Sequence, residues 1–286
     1  MQTLALPAGD TKMSEVEVPA DSKGPTQLKY HVEVSPAAID SDTGVLVAAR
    51  VACDTSGGAD MVFDGITSTN VVLARGGSLE GEALVDATAA THCRVVVSAP
   101  LDSAAASVQP EVTVRTRLTA AASGAGVEFL DMKGSEPQLV SRNRPAYVTE
   151  GRIDQPKKGF DLTQTVRMTS CTTEGGSRDG GESRNLCTPG LVSDKPAAAR
   201  VRINVVWYDA EGNEVADRTV WDEVNSIDPA VHHLPWTVNI SGIQPPGDVP
   251  AASARIITRV DSTAGPPFVV HESGTGAVSS PHSSSE

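Results

Sequence analysis

The stretch VRINVVWYDAEGNEVADRTVWD, Val201 to Asp222, carries two alternating runs on either side of the turn-forming segment Asp209-Ala210-Glu211-Gly212-Asn213. Alternation with a period of two marks half-buried strands, so the stretch reads as a β-hairpin. In its first strand Val201, Ile203, Val205 and Trp207 share one face, and Arg202, Asn204, Val206 and Tyr208 share the other. Trp207 is therefore expected in a core. The same counting puts Trp236 on a face with Val238 and Ile240, also in the core, and Trp221 on a face with Thr219 and Asp217, at the surface. Aromatic residues make up only 3% of the chain, so this clustering of tryptophans marks a core or a recognition surface.

The rest of the sequence is of the same kind. It is rich in Val, Ala, Thr, Ser, Gly, Pro and Asp and lacks long helix-period stretches, which is how an all-β protein reads. At 286 residues the chain has room for two domains of roughly 100 to 150 residues each. An all-β fold of two tandem β-sandwich domains with flexible termini is expected, the first immunoglobulin-like and the second jelly-roll-like. Residues 1–26 read as a flexible lead-in, 27–132 as the first sandwich, 133–159 as a linker, 160–271 as the second sandwich and 272–286 as a disordered tail.

Expected strands of the first sandwich are Leu28 to Val34, Gly44 to Cys53, Asp60 to Phe63, Asn70 to Arg75, Ser78 to Val85, Cys93 to Ala99, Glu111 to Ala120 and Val127 to Met132. Those of the second are Asp161 to Thr169, Ala199 to Tyr208, Asn213 to Trp221, Trp236 to Ser241, Ser253 to Asp261 and Pro267 to Val270. The linker is set apart by three prolines and by a basic balance in an otherwise acidic chain. No internal repeat is visible.

Cys53, Cys93, Cys171 and Cys187 divide two and two between the halves. Pairing within each half, Cys53 with Cys93 and Cys171 with Cys187, gives each domain one disulfide. The first bridge would join two strands as an immunoglobulin domain joins its sheets. The second would close the polar, glycine-rich loop Thr172 to Leu186. Disulfides imply an oxidising compartment, so an extracellular or cell-envelope location is expected, although the opening residues MQTLALPAGDTKMSEVEVP hold no basic n-region and apolar h-region of a secretory signal.

The formal charge of −13 and the absence of any apolar run near ~20 residues argue against nucleic acid and membrane insertion. No metal and no cofactor is expected. There is no C-x-x-C, His232 and His233 would point opposite ways on a strand, and the calcium-like opening Asp40-Ser41-Asp42-Thr43-Gly44 has Val51 where the twelfth-position glutamate belongs. No G-x-S-x-G, H-E-x-x-H or P-loop occurs, so nothing supports catalysis.

The residues that remain as a ligand site are Trp221, Tyr208, Arg202, Asn204 and Asp217. An aromatic ring stacks on the apolar face of a sugar while Asp, Asn and Arg bond its hydroxyls. Arg200 to Gly212 (RVRINVVWYDAEG), Trp236 to Gly242 (WTVNISG) and Pro245 to Ile256 (PPGDVPAASARI) also resemble the latter half of galactose-binding-like jelly-roll modules, departing from them in the insert Asn225 to Pro235. That resemblance implies carbohydrate as ligand of the second domain. The expectation is a non-catalytic secreted or surface-associated binding or structural protein, with a glycan or a protein as partner. The alternative is an assembly subunit, such as a surface or virion-like structural component, using sandwich edges and the linker; an unfamiliar hydrolase comes third.

Overall fold

The computed structural model describes residues 2–5, 11–17, 26–36, 45–55, 64–65, 68–73, 77–85, 90–98, 111–122, 128–131, 136–154, 159–171, 186–229, 233–247 and 250–282. Every regular element among them is a β-strand. The first half holds β1 (Gln2–Ala5), β2 (Thr11–Glu17), β3 (Thr26–Pro36), β4 (Val45–Thr55), β5 (Asp64–Gly65), β6 (Ser68–Leu73), β7 (Gly77–Val85), β8 (Ala90–Ser98) and β9 (Glu111–Ala122). The second holds β10 (Glu128–Asp131), β11 (Gln138–Val140), β12 (Ala146–Asp154), β13 (Phe160–Ser170), β14 (Ala197–Tyr208), β15 (Glu214–Ile227), β16 (His233–Ile243), β17 (Ser253–Ala264) and β18 (Phe268–Pro281).

All pairing is antiparallel and stays within each half. The first sandwich has sheets β1-β9-β3-β7-β5 and β2-β8-β4-β6; the second has β10-β18-β13-β16, with β11 also on β18, and β12-β17-β14-β15. With the short β5 set aside and β10 and β11 counted as one opening strand, each half has eight strands in the same arrangement. The first, eighth, third and sixth form one sheet, and the second, seventh, fourth and fifth form the other. Consecutive strands change sheet except at the central hairpin, which is the two-Greek-key order of a jelly roll.

This corrects the immunoglobulin-like expectation for the first sandwich. In an immunoglobulin domain the first two strands share a sheet, whereas β1 and β2 lie in different ones. The cysteines agree, because Cys53 on β4 and Cys93 on β8 stand directly opposite each other on neighbouring strands of one sheet, with Cα atoms 4.0 Å apart. The pairing expected from the sequence is present; the bridge joins strands within a sheet instead of joining two sheets. Cys171 and Cys187 are also bonded, as expected.

Four other boundaries differ from the sequence reading. β1 and β2 lie in the supposed lead-in and pair with β9 and β8. The strand expected at Val127 to Met132 exists as β10, but it pairs with β18 and so belongs to the second sandwich. The supposed linker 133–159 supplies β11 and β12, the latter paired with β17 through Arg152↔Arg255. The supposed tail carries the second half of β18, where Ala277 and Val278 are buried against β13. Expected features at Asp60 to Phe63 and Asp40 to Gly44 lie outside the described residues.

The second core forms around Trp207, which is fully buried, with Val201, Ile203, Val205, Leu162, Val166, Met168, Ile256 and Phe268. Trp236 is 6% exposed and faces the same core. Both follow from strand alternation, since directly opposed residues of paired strands share a face. The turn at 209–213 forms because Asp209 caps it: its carboxylate accepts from the Asn213 backbone N–H (2.8 Å) and from Asn213 Nδ2 (3.0 Å), and Gly212 takes φ 85°.

The sheet containing β13 departs from one-sided burial. Thr165, Arg167 and Thr169 point away from the core yet are buried, and Thr169 Oγ1 lies 2.7 Å from Nε2 of the buried His271. Strands β5 and β6 of the first sandwich lie near β10, β16 and β18 of the second.

Candidate functional site

The outward face of the β12-β17-β14-β15 sheet gathers most of the residues singled out from the sequence. Arg202, Asn204 and Tyr208 stand on the outward face of β14, all partly exposed, with the buried Val206 between the last two. Opposite them on β15, Asn204 faces Thr219, Arg202 faces Asp222, and Asp217 faces Val206. Thr219 Oγ1 donates to Asn204 Oδ1 at 3.1 Å. Tyr208, Arg202, Asn204 and Asp217 therefore share one surface.

Trp221 does not share it, which corrects the expectation from parity. The register of β15 shifts between Ile203/Trp221 and Asn204/Thr219, leaving Val220 as an extra residue. One extra residue in a strand inverts every later side chain. Asp217 and Thr219 face outward before the bulge, and Trp221, Glu223, Asn225 and Ile227 face inward after it. Trp221 packs against the core and donates its indole N–H to Glu223 Oε2 at 3.3 Å; Trp236, across on β16, donates to the same oxygen at 3.0 Å. Glu223 thus ties the edge strands of the two sheets together.

The sequence reading missed most of the outward face. Arg152 and Arg255 stand opposite each other, as do Arg259 and Arg202. Like charges directly opposed across strands repel, and neighbouring carboxylates offset this. Arg255 pairs with Glu150, Arg152 with Asp154 (3.3 Å), Arg259 with Asp261 (2.6 Å), and Arg200 and Arg202 both with Asp222 (2.6 and 3.4 Å). Arg259 also sits 5.8 Å from the ring centre of Tyr147, which is 45% exposed. The available signal was the spacing of two in Arg200-x-Arg202-x-Asn204 and Arg255-x-x-x-Arg259-x-Asp261. Tyr147, Glu150 and Arg152 were hidden in the supposed linker, where a bulge at Val148 breaks the alternation.

The bidentate hydrogen bonds from Arg200 hold the Asp222 carboxyl below the usual carboxylate range and raise the guanidinium in return. The hydrogen bonds that Arg259 donates to Asp261 likewise raise its guanidinium. Asp209 is lowered by its bonds from Asn213. With these five arginines on four carboxylates and Asp217 beside them, the face has little net charge. It offers planar donors and acceptors held in place, and two tyrosines, without a field that favours polyanions. Among the described residues no group of three or more His, Cys, Asp or Glu side chains could hold a metal, and no helix is long and apolar enough to cross a membrane.

No family model and no curated protein matches the chain. Among solved structures it is similar to the infectious bursal disease virus Gx strain, at 9% identity over 93% of this chain and 60% of that one, with a TM-score of 0.30. It is also similar to the N-terminal CBM22-1-CBM22-2 tandem domain of Paenibacillus barcinonensis Xyn10C, at 7% identity over 93% of this chain and 82% of that one, with a TM-score of 0.26. A third is the stem and receptor-binding domain of the spike protein P1 of bacteriophage PM2, at 8% identity over 97% and 93%, with a TM-score of 0.26. The chain spans about three fifths of the first of these. At such TM-scores no functional conclusion rests on them.

Proposed function

We propose that the chain is a non-catalytic, extracellular or surface-associated binding protein whose second jelly roll binds an uncharged glycan on the outward face of β12-β17-β14-β15. The observation that carries this reading is the outward row Arg202, Asn204 and Tyr208 on β14, with Asn204 facing Thr219 and Arg202 facing Asp222 on β15 and Asp217 opposite the intervening Val206. Tyr208 offers a ring for stacking at little entropic cost, and Asn204, Arg202 and Asp217 offer bonds to hydroxyls. Arg202 is already oriented by Asp222, so less freedom is lost when a ligand arrives. The balanced charge suits a neutral polyhydroxylated ligand, and the two disulfides suit an oxidising compartment.

The test is a glycan array probed with the full chain. Binding to neutral oligosaccharides that weakens at least about tenfold in Asn204→Ala and Tyr208→Ala supports the reading. A silent array sinks it.

A second reading, an assembly subunit, is favoured by the exposed apolar side chains on the same face, Val224 at 56% and Tyr147 at 45%. It replaces the linker route expected from the sequence, because β11 and β12 of that stretch are built into the second sandwich. Concentration-dependent oligomers by light scattering, lost in Val224→Asp and unaccompanied by glycan binding, would favour it.

A further inference from the structure

The chain has seven asparagines, and Asn239, in Asn239-Ile240-Ser241, alone begins the N-x-Ser/Thr pattern of N-glycosylation. The structure places that tripeptide where a sugar fits. β16 is the last strand of its sheet, paired with β13 on one side only. Val238 is buried while Asn239 and Ser241 are exposed, so the acceptor and its hydroxyl point out and the core-facing residues between them are undisturbed. Thr163 Oγ1 donates to Asn239 Oδ1 at 2.7 Å, and Nδ2, the atom that would carry the sugar, bonds to no described residue. Around Asn239, its partner in register, Thr163, and its neighbours two along the strand, Thr237 and Ser241, are small and polar. The two disulfides belong to the kind of compartment in which such transfer occurs.

We propose that Asn239 is an N-glycan acceptor on a secretory route and that its glycan shields the edge of β16 that no described strand pairs. Nδ2 displaces the lipid diphosphate from the anomeric carbon of a lipid-linked oligosaccharide. A carbon–nitrogen bond forms, the carbon–oxygen bond to phosphate breaks, the lipid diphosphate leaves with the electron pair, and the amide proton passes to a base of the transferring enzyme. An unpaired strand edge is a template for association. A bulky, hydrated substituent beside it blocks another strand from docking. This inference concerns the opposite sheet from the proposed binding face and does not depend on it.

The test is secretion of the full chain behind a cleavable leader from a eukaryotic cell line, with intact mass measured before and after peptide N-glycosidase. The expected result is one oligosaccharide mass on the wild type, removed by the enzyme with conversion of Asn239 to Asp. It should be absent from both Asn239→Gln and Ser241→Ala and retained in Ser241→Thr. Ser241→Ala keeps the asparagine, so its loss of glycan separates failed transfer from a folding defect at position 239. A secreted wild type without glycan, or a glycan that persists in Asn239→Gln, overturns the acceptor assignment. Removal of the glycan from folded protein should raise light scattering, and unchanged scattering overturns the shielding role.

Discussion

The two jelly rolls share one strand order and differ in what fills it. Among the described residues the first buries one tyrosine, Tyr30, with Leu28, Val32, Val95 and Val114. The second contains all three tryptophans, Trp207, Trp221 and Trp236. Their disulfides differ too: Cys53–Cys93 staples adjacent strands of one sheet, while Cys171–Cys187 closes the long connection between β13 and β14. The comparison teaches that strand alternation and crossing connections set this topology, and that the aromatic core is an addition to it. It also shows that a face is assigned by the bulges in a strand. β15 is outward-polar on one side of Val220 and inward-aromatic on the other.

That contrast breaks most severely if Val220 is deleted. Without the extra residue, Trp221, Glu223 and Ile227 turn to solvent, and the second roll should lose at least ~3 kcal/mol, the usual cost of emptying a large core position. Denaturant unfolding followed by tryptophan fluorescence checks this, with the first roll unaffected. Next in size are the disulfides. Loop-closure entropy assigns about 4 kcal/mol to Cys53–Cys93 and about 3 kcal/mol to Cys171–Cys187. Each paired Cys→Ser variant should lower the thermal midpoint of its own roll only, as read by calorimetry.

A smaller effect belongs to Glu223. Replacing it with Ala leaves the indole N–H groups of Trp221 and Trp236 without their acceptor and should cost ~1 to 2 kcal/mol at this half-buried site, measured by chemical denaturation. Smallest is the pH dependence of Asp222. Its folded pKa is depressed by Arg200, so its contribution is complete above the unfolded value near ~4 and is lost as pH falls through the folded value. In Arg200→Ala the carboxyl resonance should titrate at higher pH than in wild type; an unchanged midpoint contradicts the assignment.

Much of the fold was legible because it rests on local patterning. Strands β14 and β17 alternate cleanly, and Trp207 and Trp236 lie where alternation puts them. What was hidden follows from four physical causes. Pairing partners are set by the whole topology, so β10 looked like a strand of the first roll although it closes the second. Bulges at Val148 and Val220 interrupt the period, which concealed β12 and reversed Trp221. Strands buried on both faces lose alternation: Thr165, Arg167 and Thr169 of β13 are buried away from the core, where charged residues are rarely found. The Ser- and Gly-rich end of β18 looked unable to order, but small side chains are what a crowded central strand accommodates, as with Ala277 and Ser279. Of the proposed site, the β14 residues were readable and their arginine and carboxylate neighbours on β12 and β17 were not.

The most direct test of the binding face is calorimetric titration of the tightest array ligand into three folded variants, Tyr208→Ala, Asn204→Ala and Trp221→Phe. The account predicts that the first two lose affinity with unchanged unfolding midpoints, while Trp221→Phe keeps wild-type affinity. Loss of binding in Trp221→Phe, with full affinity retained in Tyr208→Ala and Asn204→Ala, would contradict it.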